Sequence, residues 1–319
     1  MLLPGNFRTQ DPLSNLSVKF MNDQQKYAAL KVLPPFLVPK STFKFYQYNK
    51  SNLTLDKLDA PSGTEARIFD YDAFTNVATT KEYAAGTRVH AKDARDFDAP
   101  VADLRLDAAQ LNAEKLLIHM EDAMYTKIST TGNYPAALTT ASGGWDVATS
   151  DPIEDVRVAR QAVFEKTGLR PSEMALNQKA LDLLKNHPAI VDRIKFVGML
   201  GAAEVVRALS SLFEMQNIHV SDVLKNTAQE GATDSLSTIW GSTCLIYTPA
   251  NGGLRSNGYG RTFMTADLQT KIIDRPELGR GSLGVEDLVT SWEWTQEFIC
   301  QAGDSDADSH AGYLLTSLY

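Results

Sequence analysis

Residues 65–83 alternate in character. Phe69, Tyr71, Ala73, Thr75, Val77, Thr79 and Tyr83 fall on one parity, and Asp70, Asp72, Asn76 and Glu82 on the other. A period of two predicts a strand. Ahead of it stands the aromatic, β-prone run STFKFYQYN at 41–49. Between them lies a polar stretch in which Pro61-Ser62-Gly63 supplies turn chemistry. Together these predict a long two-stranded ribbon with an extended tip. At about 3.3 Å per residue, some 15 residues of ribbon would reach roughly 50 Å. A hairpin alone is marginal in water, so this one needs a surface, from its own chain or from a neighbouring copy. The first 40 residues make a similar demand. They hold Pro4, Pro12, Pro34, Pro35 and Pro39, scattered apolar residues and one short helical stretch near Asp23–Leu30. They read as an arm that lies along something else.

The rest of the chain has ordinary signals. Over 103–128, Leu104, Leu111, Ile118 and Tyr125 recur every seven residues, and Leu117, Met120, Met124 and Ile128 widen the stripe. This predicts a rod-like helix about 38 Å long. Asp151-Pro152-Ile153-Glu154 is a helix start, with Glu154 placed to complete a capping box, and Thr167-Gly168 is a helix end. Met174–Leu176 predicts a short strand. Asn177 caps a helix to Lys185, Pro188 opens another to Lys195, and 202–213 is helical. Ile218–Val220, Ser237–Trp240 and Cys244–Tyr247 read as buried strands around a polar loop at 225–235. From Arg261 to Cys300 the pattern is almost wholly strand, with Leu288, Thr290, Trp292, Trp294 and Phe298 on one face and a charged turn at 274–281. The class predicted is α+β.

Catalytic motifs are missing. The chain has no P-loop pattern, no G-x-S-x-G elbow and no H-E-x-x-H. His90, His119, His187, His219 and His310 are far apart, and two cysteines, Cys244 and Cys300, make neither a disulfide framework nor a zinc site. Two cysteines fit synthesis in a reducing interior. The glycine clusters at 251–253 and 258–260 read as turns. Glu121-Asp122 and Glu286-Asp287 read as solvated pairs, and Trp292 and Trp294 as core rather than base-stacking residues. No apolar run is long enough to cross a bilayer, and the N-terminus lacks the layout of a secretory signal. A net charge of -8 argues against a dedicated duplex binder. The charge is uneven. Residues 1–40 carry Arg8, Lys19, Lys26, Lys31 and Lys40 against Asp11 and Asp23, whereas no Lys or Arg follows Arg280.

Several stretches, in this order, carry a family resemblance. They are Pro34-Pro35-Phe36-Leu37-Val38-Pro39-Lys40 with Phe43-Lys44-Phe45-Tyr46-Gln47-Tyr48, then Pro61-Ser62-Gly63-Thr64-Glu65-Ala66. Ser150-Asp151-Pro152-Ile153-Glu154-Asp155-Val156-Arg157 leads into Thr167-Gly168-Leu169-Arg170-Pro171. Asn186-His187-Pro188-Ala189-Ile190-Val191-Asp192-Arg193-Ile194-Lys195 precedes Asn226-Thr227-Ala228-Gln229-Glu230-Gly231, and Ala311-Gly312-Tyr313-Leu314-Leu315 closes the set. The chain resembles the major capsid proteins of tailed bacteriophages, with the Hong Kong phage-type coat fold.

The resemblance implies an N-terminal arm at 1–40 and an extended loop at 41–88. It implies a peripheral domain from 89–130 with 255–300, whose spine is the long helix, and an axial domain from 131–254 with 301–319. It implies hexamers and pentamers of an icosahedral head around double-stranded DNA, with no cofactor and no catalysis. Assembly-interface candidates are Lys50, Lys57, Arg67, Phe69, Tyr71, Arg275, Glu277 and Arg280. Arg8, Lys19, Lys26 and Lys31 are candidates for a basic inner surface touching packaged DNA nonspecifically. Expected partners are copies of the chain itself, a portal, and scaffolding or decoration proteins; no membrane is expected. The expected location is the virion, assembled in the host cytoplasm. Two features depart from the family pattern: an acidic insert at 301–310, and the lack of a helical scaffolding segment before the arm, which a separate protein or a removed piece would then supply. Lysine-to-asparagine crosslinking occurs in some relatives, but no motif fixes a partner for Lys50 or Lys57. The nearest rival is an encapsulin-like nanocompartment shell. A rival of another class is a hydrolase or nucleotide-binding enzyme using 242–259.

Overall fold

The computed structural model describes residues 22, 24–48, 59, 65, 68–69, 73–90, 104–141, 143–194, 202–229, 231–250, 258–265, 269–275, 285–299 and 311–319. Helix α1 (Ala29–Val32) follows a 3₁₀ turn at Gln24–Lys26 and leads into strand β1 (Pro35–Leu37). Strands β2 (Thr42–Tyr48) and β3 (Ala73–Thr79) form the hairpin, and β4 (Lys81–His90) runs to the long helix α2 (Leu104–Ser129). A compact unit follows: β5 (Thr139–Ala141), α3 (Pro152–Thr167), β6 (Glu173–Asn177), α4 (Gln178–Asn186), α5 (Pro188–Ile194), α6 (Ala202–Leu212), β7 (Asn217–Ser221), β8 (Leu224–Asn226), β9 (Leu236–Thr238) and β10 (Thr243–Tyr247). Strands β11 (Gly260–Met264), β12 (Gln269–Arg275), β13 (Val285–Phe298) and β14 (Gly312–Thr316) complete the described chain.

Two five-stranded sheets organise these elements. In the first, β13 is the axis. β4 pairs along one edge from Val285 to Trp294, while β12 and then β11 pair along the other, with β1 parallel outside β11. The inward parity of β13 is the one read from the sequence: Leu288, Trp292, Trp294 and Phe298 are buried. Helix α2 lies against this face. Asn112 fixes it by donating from Nδ2 to the Leu288 carbonyl (3.0 Å) and accepting from Thr87 Oγ1 (2.6 Å).

The second sheet has the order β5-β14-β10-β6-β7. Met174, Leu176, Cys244, Ile246, Tyr313 and Leu315 pack toward α3–α6. Ala175, Leu245, Tyr247 and Leu314 pack toward α2 and the first sheet. Both faces are covered, which is why these strands read as unbroken apolar runs rather than alternating ones. Helix α3 begins as predicted: Asp151 Oδ1 accepts from the Ile153 and Glu154 amides at 3.1 and 3.2 Å, and Gly168 at φ 72° ends it. The capping-box bond is replaced, because Glu154 pairs with Arg157 instead.

Four expectations are corrected. The buried row of α2 is Ala108, Asn112, Leu116, Met120, Met124 and Ile128, while Leu111 is exposed; a four-residue step, not the seven-residue one, tracks the surface it packs on. Second, Ile68 and Phe69 are not in a strand, and pairing runs over the seven residues from Tyr48↔Ala73 to Thr42↔Thr79. That is about 23 Å of ribbon, and the predicted tip between residues 49 and 72 lies almost wholly outside the described residues. Third, the later part of the segment read as an arm belongs to the body: Tyr27, Ala28, Ala29, Val32 and Leu33 are core residues, and β1 joins the first sheet. Its apolar residues have a partner surface within the same chain, which a periodicity argument could not see. Fourth, the strand read as buried at Ser237–Trp240 is β9 (Leu236–Thr238), which pairs with β8 across the polar loop and has residues 236 and 238 exposed.

Candidate assembly surfaces

A surface for self-association needs exposed side chains on an element that its own body holds rigidly. The β2–β3 hairpin has that form. Its inner face carries Phe43 and Phe45, whose rings lie 4.6 and 5.9 Å from that of Phe263 on β11; Phe36 adds a fourth ring at 6.1 Å. Thr80, just after β3, ties the hairpin base to both neighbours. Its amide and its hydroxyl both bond the Ser41 carbonyl (2.8 and 3.2 Å), and the hydroxyl reaches Glu293 Oε1 at 2.5 Å. Hydrogen bonding from Thr265, and then from Thr80, holds the Glu293 carboxyl below its ordinary range. The opposite face presents Thr42, Lys44, Thr75, Val77 and Thr79 to solvent, with Val77 60% exposed and paired across the ribbon with Lys44. Further toward the tip, Ile68 and Phe69 are 90% and 48% exposed.

Of the residues predicted at the interface, Phe69 is exposed ahead of β3 in sequence, and Arg275 ends β12 opposite Val285 in the first sheet. The two belong to different parts of the fold. Lys50, Lys57, Arg67, Tyr71, Glu277 and Arg280 lie outside the described residues, as do Arg8 and Lys19. Lys26 is half-buried in the 3₁₀ turn, and Lys31 is exposed, with Nζ donating to the Gln25 carbonyl at 2.5 Å.

Residues passed over in sequence hold the strongest polar sites. Glu121 was read as solvated, yet it is fully buried. It accepts from the Ala29 amide (2.7 Å), the Ala28 amide (3.0 Å), Ser221 Oγ (2.8 Å) and Trp240 Nε1 (2.7 Å). Burial raises its carboxyl above the ordinary value, and the four donors pull against that rise. Glu114, two turns earlier, accepts from Tyr27 OH (2.7 Å) and from Asn22. In the second sheet Glu173 is buried and accepts from His219 Nε2 (3.0 Å), Asn217 Nδ2 (2.9 Å) and Tyr247 OH (2.8 Å). Burial works to raise this carboxyl too, but the three donors outweigh it and the net shift is downward. The available signal for Glu114 and Glu121 was their seven-residue spacing next to the Leu116–Met120–Met124 row.

The described residues of the 242–259 region, which the rival enzyme reading would use, are 242–250 and 258–259. In the 242–259 region Cys244 is buried and its thiol pushed up by burial, and Tyr259 is fully buried. The glycines beside Tyr259 are packing residues rather than a phosphate cradle: a Cβ on Gly258 would lie 2.5 Å from Ala250 Cα, and one on Gly260 would lie 2.7 Å from the Glu297 carbonyl oxygen. Among the described residues, no group of three or more His, Cys, Asp or Glu is placed to hold a metal ion, and no helix is long and apolar enough to cross a membrane.

No family model matches the chain. It is 25% identical over 308 residues to the major capsid protein of Pseudomonas phage JBD67, covering 88% of this chain and 93% of that protein. To the major capsid protein of Burkholderia phage BcepMu it is 24% identical over 256 residues, 78% and 80% of the two chains. Among solved structures, a phage-related protein from Bordetella bronchiseptica superposes with a TM-score of 0.69 at 19% identity, covering 93% of this chain and 94% of that one. The capsid structure of cyanophage P-SCSP1u gives 0.54 at 14%, covering 89% and 86%. The holo-SrpI encapsulin complex from Synechococcus elongatus gives 0.52 at 10%, covering 95% and 92%. The fold is that of phage capsid structures, and the resemblance to tailed-phage major capsid proteins is borne out.

Proposed function

We infer that this chain is the major capsid protein of a tailed-bacteriophage head, a shell subunit whose work is to assemble with copies of itself. The observation that carries the reading is its end-to-end likeness to a phage major capsid protein, over 88% of its length. The hairpin supports it: one face is anchored by Phe43 and Phe45 on Phe263, and the other leaves Val77 uncovered. In the shell the axial unit (131–254 with 301–319) gathers copies into hexamers and pentamers, and the peripheral unit (89–130 with 255–300) meets further copies through the turn that carries Arg275, Glu277 and Arg280. The extended loop (41–88), with Lys50, Lys57, Arg67, Phe69 and Tyr71, lies across a neighbour. The arm (1–40) reaches another copy with the residues ahead of Asn22, and its basic groups face packaged double-stranded DNA without reading sequence. Individually weak contacts suffice, because a closed lattice presents them to one another at high effective concentration. Portal, scaffolding or decoration proteins complete the head, which is built in the host cytoplasm and ends as the virion. The chain itself performs no catalysis.

The test is assembly. Purified protein examined by light scattering and electron microscopy is expected to form rings or closed shells as concentration rises. A chain that stays monomeric at high concentration overturns the reading. The encapsulin likeness supplies a second reading, a shell around a cargo enzyme; particles that co-purify with a stoichiometric folded enzyme would favour it over a phage head.

A further inference from the structure

Glu121 is shared by three stretches of chain that converge on its carboxylate. On one side are the Ala28 and Ala29 amides, 93 and 92 positions away in sequence. On the other are Ser221 at the end of β7 and Trp240 just beyond β9, 100 and 119 positions away. The Ala28 and Ala29 amides sit at the start of α1, where helical geometry offers backbone N–H groups no acceptor. A buried carboxylate is tolerable only where its lone pairs are met. All four contacts bring hydrogens to it, so the ionised form is the one that this geometry satisfies. If either pair of donors is withdrawn, the other is left holding an under-solvated charge.

A second tie runs between the same two stretches. The Asn22 side chain pairs with both the N–H and the C=O of Leu224 on β8 (3.0 and 3.1 Å), while its backbone and side-chain N–H groups both reach Glu114 on α2. The N-terminal stretch and the β7–β9 stretch therefore contact each other, and both dock on one face of α2.

We propose that Glu121 is a coupling residue, making the docking of residues 22–33 and the docking of residues 221–240 on α2 depend on each other. Loosening either loosens the other. This inference goes beyond shell building and stands without it. Coupling of this kind is reciprocal, and typical values are about 5–150-fold.

Hydrogen exchange on the full-length unassembled chain tests it. Ser221→Ala and Trp240→Phe each remove one donor to Glu121 from the β7–β9 side. Each is expected to speed exchange across residues 22–33 by about tenfold, within the range expected of coupled sites, while leaving helix α3 unchanged. Glu121→Gln is expected to speed exchange in both stretches. If Ser221→Ala and Trp240→Phe act only on residues 221–240, or if exchange rises equally in α3, the coupling is refuted.

Discussion

Alanine at position 312 would put a methyl carbon 2.5 Å from Cδ2 of Tyr259. The ring has nowhere to go. Tyr259 is fully buried, its hydroxyl is 2.6 Å from that of Tyr134, and its ring lies 5.1 Å from Phe298 and 5.7 Å from Tyr247. It also carries backbone bonds in both directions, its amide to the Thr248 carbonyl (2.8 Å) and its carbonyl to the Ile299 amide (3.1 Å). Gly312 begins β14 in the second sheet, and Gly260 begins β11 in the first, so Tyr259 stands where the two sheets join. Overpacking a fixed core site costs about 1–3 kcal/mol. If the ring moves, the Tyr134 hydroxyl contact goes as well, adding about 1 kcal/mol. Gly312→Ala is therefore expected to destabilise the chain by about 2–4 kcal/mol. With a urea m-value of about 3 kcal/mol/M, the unfolding midpoint falls by about 1 M. Gly143→Ala is the control: an added Cβ there meets nothing within 4 Å, and a change below about 0.5 kcal/mol is expected. Gly312→Ala is expected to cost less in a Tyr259→Leu background than alone, because the two sites are in contact. A Gly312→Ala midpoint within 0.2 M of the parent, on the order of the noise in such extrapolations, would refute the reasoning and show that the sheet junction is soft.

Three other outcomes follow from the structure. Asp151→Ala removes both cap bonds at the start of α3 and should cost about 1 kcal/mol in thermal or urea unfolding. The Glu173 carboxyl is held below its ordinary value of 4.5 by His219, Asn217 and Tyr247 against the opposing effect of burial; the stability it contributes is present above that value and is lost as pH falls through the lowered one, so urea midpoints of Glu173→Gln should decline less between neutral and acid pH than those of the parent. Val77→Asp places a charge on the uncovered face of the hairpin and should leave the unfolding free energy within about 0.5 kcal/mol of the parent while suppressing particle formation in light scattering.

How far the sequence can be read depends on which partner a residue meets. The strand parity of β13 was legible because one neighbour, α2, covers one face and alternation reports that directly. Helix α3 was legible at both ends because Asp151 and Gly168 act on their own backbone. The second sheet was legible as buried strand but not as a two-faced layer, since an unbroken apolar run does not say what lies on each side. Helix α2 was placed correctly and phased wrongly: Leu111 is as apolar as Leu116, and only the neighbouring sheet distinguishes them. Glu121 was misread for a related reason. Its donors come from Ala28, Ala29, Ser221 and Trp240, and no local pattern announces a carboxylate satisfied by residues 92 to 119 positions away. The core role of Tyr27–Leu33 was hidden in the same way, because an irregular segment bears no period even when most of its apolar residues are buried.

The central claim is that the outer face of the β2–β3 hairpin is finished by a second copy of the chain. Hydrogen exchange and side-chain labelling of the same protein, before and after assembly into particles, measure it most directly. The account predicts that the segment carrying Lys44 and Val77 becomes protected on assembly while the Phe43–Phe45–Phe263 side, covered in the single chain, changes little. Particles in which that face stays as accessible as in the free subunit would contradict it.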